Sequence, residues 1–216
     1  AVLYLSRKRA LFLGCVGQNL SSANAAPILL LSLGAPLEMT RKNEELVIRG
    51  RSFLIPAGRP IESLTVNTDI ALFYLDAVGL DLDWLARRMK STFVMNQDIL
   101  LYREIDQEED MIRFLRQALA GGVERDEVFR CTRSWFEPNA QFKAATVRDE
   151  RVVKVAAFLK SSQAENVSVD DVAAHVSLSV PRLIQLFKST TGVPIRRFRV
   201  WQRIYTTILR VAEGDS

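Results

Sequence analysis

Three polar side chains near the C-terminal end of the chain recur at the spacing of one helix face. Arg182, Gln185 and Lys188 follow one another at intervals of three residues. Leu183, Leu186 and Phe187, which lie between them, are the candidate core residues of that helix. Arginine and glutamine can form bidentate hydrogen bonds with guanine and adenine edges, whereas a lysine ammonium suits phosphate oxygens. The pattern predicts a helix that packs by its apolar residues, presents Arg182 and Gln185 to bases of duplex DNA, and holds Lys188 near the backbone.

Further candidate DNA contacts flank this helix, which we predict over residues 179–190. Ser179 is placed to cap its first turn, and Pro181 is tolerated there because amides of the first turn have no intrahelical partner. Beyond the helix, the candidate phosphate contacts are Thr190, Arg196 and Arg197.

The charge around this helix is one-sided. No aspartate or glutamate occurs between residues 172 and 212, although the whole chain carries a net charge of only +4. The same stretch holds seven basic residues: Arg182, Lys188, Arg196, Arg197, Arg199, Arg203 and Arg210. A solvated helix face normally mixes both signs, so this stretch indicates a polyanionic partner.

The composition excludes most catalytic centres. His175 is the only histidine, so a histidine-rich metal site is impossible and any Ser-His-Asp or Cys-His set would depend on this one residue. Cys15 and Cys131 lie far apart in the sequence, and we expect two free thiols. We predict no cofactor, no metal and no catalytic residues. We also expect a cytoplasmic protein without a membrane span, since no apolar run is long enough for one.

The first 80 residues have the pattern of a β domain. Short apolar runs at 11–16, 28–33, 46–48, 53–55 and 70–75 are separated by turn-forming residues. From Gly79 onward the pattern is helical. We predict helices over 81–89 with Asp81 as its cap, over 106–120 with Asp106 as its cap, and over 126–136. The polar stretch 139–148 is the predicted linker.

The remaining residues, 149–216, have the pattern of an all-α domain. Val152, Val155, Ala156 and Leu159 share one helix face, and Ser168 with Asp171 resembles a capping box that opens a short helix. A tight connection at 177–178 leads to the helix at 179–190, which ends at Gly192, and a long helix follows Pro194. Two short helices joined in this way form a helix-turn-helix.

The order of these elements resembles the first helix-turn-helix of the AraC family of transcription regulators. The residues that carry the resemblance are Ala173, Leu178-Ser179 before the second helix, Leu183-x-x-x-Phe187-Lys188, and Gly192. The match covers roughly residues 150–212. Residues 55–58, Ile-Pro-Ala-Gly, resemble a segment of the cupin-like barrel that accompanies this domain in the family. The resemblance implies an α+β protein with a cupin-like β-barrel or sandwich and flanking helices over 1–138, and a helix-turn-helix domain over 149–216.

Two departures from the family pattern concern the turn and the length. The residue before Leu178 is often glycine in the family, and Ser177 would cost up to about 1 kcal/mol if the turn demands a positive φ. Family members also carry two helix-turn-helix units in tandem, joined by a long helix. Only the first unit and the connecting helix occur here, and we expect a truncated chain rather than a half-size regulator.

The resemblance also implies partners besides duplex DNA. It implies a homodimer, a small-molecule effector in the N-terminal domain, and RNA polymerase as a further partner. The apolar stripe of the 106–120 helix is the candidate dimer interface, although a plain core stripe is the alternative. Its residues are Met111, Phe114, Leu115 and Leu119.

Three functions remain in view at this point. The leading one is sequence-specific DNA binding controlled by the N-terminal domain. The second is an effector-binding or dimerisation module whose truncated helix-turn-helix binds DNA weakly. The third is a metal-free enzyme on a cupin fold.

Overall fold

The computed structural model describes residues 1–213 except 7, 18, 42–43, 66, 96–97, 139–141, 143–147 and 163–166. The chain forms two compact units, Ala1–Ala144 and Ala145–Ser216, called here the β unit and the helical unit. Their boundary falls within the segment that we predicted as a linker. Of that segment, only Phe142 and Arg148 are among the described residues.

Antiparallel strands dominate the β unit. They are β1 (Val2–Leu5), β2 (Ala10–Gly14), β3 (Asn19–Ala23), β4 (Ile28–Ser32), β5 (Leu37–Arg41), β6 (Glu44–Gly50), β7 (Ser52–Ile55), β8 (Pro60–Thr65), β9 (Ile70–Tyr74), β10 (Met89–Met95) and β11 (Asp98–Ile105). Seven of them form a large sheet in the order β1-β2-β9-β4-β7-β11-β10. The other four form a smaller sheet in the order β3-β8-β5-β6.

The large sheet is buried on both faces, which explains why its central strands are continuous apolar runs. In β4, Ile28 and Leu30 pack with Leu37 and Met39 of the smaller sheet. Leu29 and Leu31, which point the other way because side chains alternate along a strand, pack against helices. The unit is therefore layered as small sheet, large sheet and helices. The α+β fold class is confirmed.

Three helices cover the outer face of the large sheet. They are α1 (Asp81–Ala86), α2 (Glu108–Leu119) and α3 (Arg125–Phe136). The carbonyl oxygen of Trp135 near the end of α3 accepts hydrogen bonds from the Trp84 indole at 2.9 Å and from Arg88 at 3.0 Å. The C-terminal end of α3 is thereby tied to α1.

Three local predictions for this region were wrong. Residues 89–105 form a hairpin of two strands, so Met89 lies on β10 and not on the first helix, which ends at Ala86. Asp81 follows the N-cap residue Leu80 and forms an ion pair with Arg9. Asp106 lies two residues before α2, whose N-cap residue is Gln107.

The stripe of α2 that we predicted as a dimer interface is core. Met111 and Leu115 are 1% and 0% exposed and belong to the apolar cluster between the helices and the large sheet. Phe114 and Leu119 are half-buried and pack against the same cluster. Because Met111 and Leu115 have no surface to offer a second chain, their assignment to an interface was wrong.

The helical unit contains α4 (Glu150–Ser161), α5 (Val169–His175), α6 (Val180–Thr191) and α7 (Ile195–Glu213). Val152, Val155, Ala156 and Leu159 of α4 are all buried, as the periodicity predicted. Contacts among α4, α5 and α6, together with the first turn of α7, form the core of this unit.

Candidate nucleic-acid interface

The turn between α5 and α6 sets the direction of the second helix. Ser168 opens α5 with the predicted capping box, in which its hydroxyl accepts from the Asp171 amide while the Asp171 carboxylate accepts from the Ser168 amide. The side-chain hydrogen bond from Ser168 lowers the pKa of Asp171. After α5, Ser177 has a φ of 53°, and the Leu178 amide donates to the Ala173 carbonyl at 3.0 Å. The turn therefore demands the left-handed conformation expected from the family's glycine.

The inner face of α6 fixes the helix to the unit's core. Leu183 is 1% exposed and Phe187 is fully buried, whereas Leu186 is only half-buried. The Phe187 ring meets Phe198 of α7 at a centroid distance of 5.2 Å. Because α6 is held on this side, the residues of its opposite face are presented on a fixed support.

The C-terminal end of α6 is closed by local hydrogen bonds. Gly192 is the C-cap with a φ of 79°, a conformation that glycine adopts without strain, and its amide donates to the Lys188 carbonyl at 2.9 Å. The buried Thr191 hydroxyl donates to the Phe187 carbonyl at 2.8 Å. These hydrogen bonds fix the backbone between α6 and α7.

The beginning of α7 packs into the helical unit. Ile195 and Phe198 are buried, and the Arg199 guanidinium donates to the Val167 carbonyl at 2.7 Å. Further along, the exposed apolar residues of α7 are Val200, Ile204, Ile208 and Val211. The beginning of α7 therefore contributes to the support of α6.

The outer face of α6 carries the polar residues predicted from the sequence. Pro181, Arg182, Gln185 and Lys188 are all exposed. An Arg182 guanidinium nitrogen donates to the Gln185 side-chain oxygen at 3.1 Å, and this hydrogen bond links the two side chains. A linked arginine and glutamine on an exposed helix face offer several donors and one amide acceptor to the edges of neighbouring base pairs.

The other predicted contacts border this face. Ser179 is the exposed N-cap residue of α6, but its side chain makes no capping hydrogen bond. Thr190 is half-buried near the end of α6, and Arg196 and Arg197 are exposed in the first turn of α7. With Lys188, these two arginines place cations on both sides of Gly192.

The sequence reasoning missed one residue of the outer face. Ile184 is 42% exposed, three residues after Pro181 and four before Lys188. An exposed apolar side chain beside groups that are able to hydrogen-bond with base edges can contact a thymine methyl group. Its position at helical spacing from two predicted contacts was the signal that could have identified it.

Several solved structures are similar to this chain over nearly its whole length. A structure of ToxT from Vibrio cholerae bound to an unsaturated fatty acid aligns with 99% of this chain and 84% of its own, at 12% identity and a TM-score of 0.55. ToxT bound to (E)-4-(8-methylnaphthalen-1-yl)but-3-enoic acid covers 96% of this chain and 85% of its own, at 13% identity and a TM-score of 0.52. The chain has the fold of ToxT.

The similarity to ToxT lies in the structure and not in the sequence. No protein-family model and no curated protein matches the sequence. A further ToxT structure aligns with 97% of this chain and 86% of its own, at 13% identity and a TM-score of 0.51. The alignment therefore spans both units, the sheets as well as the helices.

One carboxylate lies near the polar face of α6. Asp149, the N-cap of α4, accepts from Arg151 through its backbone amide at 3.0 Å and its guanidinium at 2.9 and 2.6 Å. These hydrogen bonds, with a smaller contribution from the charge of Arg182, lower the pKa of Asp149 to about 2. Asp149 is therefore an anion at neutral pH, and its charge acts on Arg182.

The single histidine has a packing role. His175 is exposed at the end of α5, and its ring stacks on Phe158 of α4 at 4.3 Å with an interplanar angle of 14°. Among the described residues, no group of histidine, cysteine, aspartate and glutamate side chains could hold a metal ion. In the same part of the chain, no helix has the length and apolar character needed to cross a membrane.

Proposed function

We propose that this chain is a transcription regulator of the AraC type that binds duplex DNA through α6. Two lines of support are independent of each other: the motif at residues 173–192 resembles the family's first helix-turn-helix, and the fold is that of ToxT, a regulator of this type. In this role the chain acts by binding and not by catalysis, in the compartment that holds the DNA.

The observation that carries the proposal is the outer face of α6. Arg182, Gln185 and Lys188 are exposed on a helix whose opposite side is anchored by Leu183 and Phe187. A recognition helix needs this combination, because only a rigidly supported side chain can discriminate between base edges. The absence of acidic residues from 172 to 212 removes repulsion from phosphates along the same surface.

The side chains have different tasks in this proposal. Arg182 and Gln185, in the first half of α6, read base edges, and Ile184 contacts a thymine methyl group. Lys188, Arg196 and Arg197 hold phosphates, because they lie where a helix in the groove diverges toward the backbone. Ser179 and Thr190 add hydroxyl contacts to the backbone, and Pro181 packs against it.

Selection of duplexes from a random pool tests the proposal. The wild-type chain should enrich a sequence, and Gln185→Ala should then bind that sequence about 1–3 kcal/mol more weakly, with relaxed preference at one base pair. The matched control is Gln117→Ala, an exposed glutamine of α2. It should retain both affinity and preference.

Two outcomes would contradict the proposal. One is a pool that remains random after selection by the wild-type chain at low salt. The other is a Gln185→Ala variant that loses no more than Gln117→Ala while Lys188→Ala alters the preferred sequence. In the second case the helix would lie in the groove with a different face inward.

The β unit supplies control and assembly in this proposal. ToxT has been crystallised with an unsaturated fatty acid, and we extend an effector-binding role to the β unit of this chain. We also propose a homodimer, since regulators of this kind read paired half-sites. Because Met111 and Leu115 are core, the dimer surface is to be sought elsewhere on the β unit, and sedimentation at increasing concentration measures it.

A further inference from the structure

Arg199 differs from the other arginines of α7 in its exposure. By sequence alone, all five belong to one basic stretch without acidic residues. In the structure Arg199 is half-buried, whereas the other four are exposed: Arg196, Arg197, Arg203 and Arg210. A guanidinium that is turned into its own unit is less accessible to a phosphate than the exposed ones.

The hydrogen bond of Arg199 ends on the segment that opens α5. Its guanidinium donates to the Val167 carbonyl at 2.7 Å, a short distance that is typical of a charged donor. Val167 directly precedes Ser168, the N-cap residue of α5. The hydrogen bonds of the α5 backbone begin with that from the Val172 amide to the Ser168 carbonyl. The Val167 carbonyl is therefore outside the ladder of α5, and Arg199 binds it from another helix.

Helix α5 depends on such contacts because it is short. It has only seven residues, and a helix of two turns is not stable by itself. The side chains that it buries, Val172 and Ala173, are small. At its end, the His175 ring stacks on Phe158 of α4. The helix is thus held at its beginning by α7 and at its end by α4.

The residue before Arg199 holds the other helix of the helix-turn-helix. Phe198 is fully buried, and its ring lies 5.2 Å from the ring of Phe187 in α6. Two consecutive residues of α7 therefore contact both helices, with Phe198 on α6 and Arg199 at the start of α5. The direction of α6 relative to α5 decides which of its side chains enter a groove.

We propose that Arg199 is a positioning residue, which holds the start of α5 against α7 and thereby aligns α6 for reading bases. It contacts no phosphate, although it lies in the basic stretch. Its loss should disturb the base contacts of α6 while leaving the number of phosphate contacts unchanged. The part that concerns DNA rests on the proposed function, whereas the tie between α7 and α5 does not.

A matched pair of variants separates positioning from phosphate binding. Arg199→Met and Arg196→Met each remove one positive charge and keep an unbranched side chain, and the two positions lie three residues apart on α7. The salt slope counts neutralised phosphates, so Arg196→Met should make it shallower by about one and Arg199→Met should leave it at the wild-type value. Anisotropy titrations of the duplex enriched by the wild-type chain measure it.

The preference for the enriched duplex gives the second readout. Arg199→Met should bind that duplex roughly tenfold more weakly and a scrambled duplex as well as the wild-type chain does, because alignment matters only for base contacts. Arg196→Met should weaken binding of both duplexes about equally. Arg199→Lys keeps a cationic donor and should restore most of the preference. A lysine variant as defective as Arg199→Met would contradict a role through this hydrogen bond.

Hydrogen exchange of the whole chain, followed by NMR, tests the tie without DNA. In Arg199→Met the Val172 amide should exchange roughly fivefold faster, since its bond to the Ser168 carbonyl opens when the start of α5 is released. The amide of Val155, a buried residue of α4, should keep its wild-type rate. Arg196→Met should change neither rate. Equal acceleration of both amides in Arg199→Met would make Arg199 a general stability residue and overturn the proposal.

The remaining outcomes separate this inference from the proposed function. A slope shallower by about one in Arg199→Met, with unchanged Val172 exchange, would make Arg199 a phosphate contact and overturn the inference while supporting DNA binding. Faster Val172 exchange in Arg199→Met, in a chain that binds no duplex, would support the tie and reject the proposed function. Wild-type behaviour of Arg199→Met in every measurement would also overturn the inference.

Discussion

Helices α2 and α6 have the same length of 12 residues and the same amphipathic pattern, yet they face different partners. Helix α2 buries Met111 and Leu115 against the large sheet, and α6 buries Leu183 and Phe187 against α5 and α7. Their polar faces differ more than their apolar ones. The first turn of α2 has three acidic residues, whereas that of α6 has none.

Three polar residues of α2 bind other residues of the β unit. Glu108 accepts from the Ser52 hydroxyl, Glu109 pairs with Arg51, and Arg116 donates to the Leu33 carbonyl. In α6, Arg182 and Gln185 have no hydrogen-bond partner but each other among the side chains of the described residues, and Lys188 is exposed. The apolar stripe of a helix therefore indicates which side packs in the core. Whether the polar side chains already bind residues of the same unit indicates whether the helix has an external partner.

The largest effect that this comparison predicts is on the stability of the β unit. Leu115→Ala removes a fully buried side chain and should lower the free energy of unfolding by about 3 kcal/mol. Urea titration followed by tryptophan fluorescence measures it. Leu80→Ala, at an exposed leucine, should change it by less than about 0.5 kcal/mol. If both variants lowered the free energy of unfolding by the same small amount and Leu115→Ala dissociated a dimer, α2 would have to be assigned to an interface after all.

The turn before α6 offers a smaller, stabilising change. Ser177→Gly should relieve the strain of a φ of 53° and stabilise the helical unit by about 0.5–1 kcal/mol. Hydrogen exchange of the Leu183 and Phe187 amides reports the local free energy. The opposite change, Gly192→Ala at a φ of 79°, should destabilise the same amides. Faster exchange in Ser177→Gly would mean that its hydroxyl supports the turn.

The helical unit was predictable because its signals are local. The capping box of Ser168 and Asp171, the Leu178-Ser179 step and the glycine at 192 each act within a few residues of the chain. The positive φ of Ser177 followed from the family pattern for the same reason. Ile184 escaped notice because an apolar residue at an outward position conflicts with the assumption that a recognition face is polar.

The β10–β11 hairpin was missed because its stabilisation is nonlocal. Tyr102 of β11 pairs with Leu54 of β7, far away in sequence, and Leu101 packs between the two sheets. The spacing of Leu82 and Leu85 suggested a helix that continued to Met89. Similarly, Asp81 was assigned to a cap because its partner, Arg9, lies 72 residues away.

The smallest predicted effect concerns Asp149, the carboxylate near the exposed polar face of α6. Asp149→Asn keeps an acceptor at the N-cap of α4 but removes the negative charge near Arg182, so DNA affinity should rise roughly twofold at low salt. The pKa of Asp149 is lowered to about 2 in the folded chain by its hydrogen bonds with Arg151. The ion pair between Asp149 and Arg151 therefore stabilises the fold fully at pH values above the pKa of the unfolded state. This stabilisation decreases below that pKa and is lost as the pH falls through about 2.

The pH dependence provides the control for this variant. The affinity ratio between Asp149→Asn and the wild-type chain should be constant from about pH 5 to pH 8, since Asp149 stays ionised throughout. Fluorescence anisotropy at fixed ionic strength measures it. A ratio that changes within that range would assign the effect to another titrating group.

The salt dependence of DNA binding tests the central claim, that the exposed face of α6 contacts DNA, most directly. Anisotropy titrations of one labelled duplex between about 50 and 200 mM salt compare the wild-type chain, Lys188→Ala and Lys154→Ala. Lys154 is an exposed lysine of α4 in the same unit and serves as the matched control. We predict a steep slope for the wild-type chain, a slope shallower by about one for Lys188→Ala, and an unchanged slope for Lys154→Ala. Identical slopes for the two lysine variants, or wild-type binding that is insensitive to salt, would contradict the account.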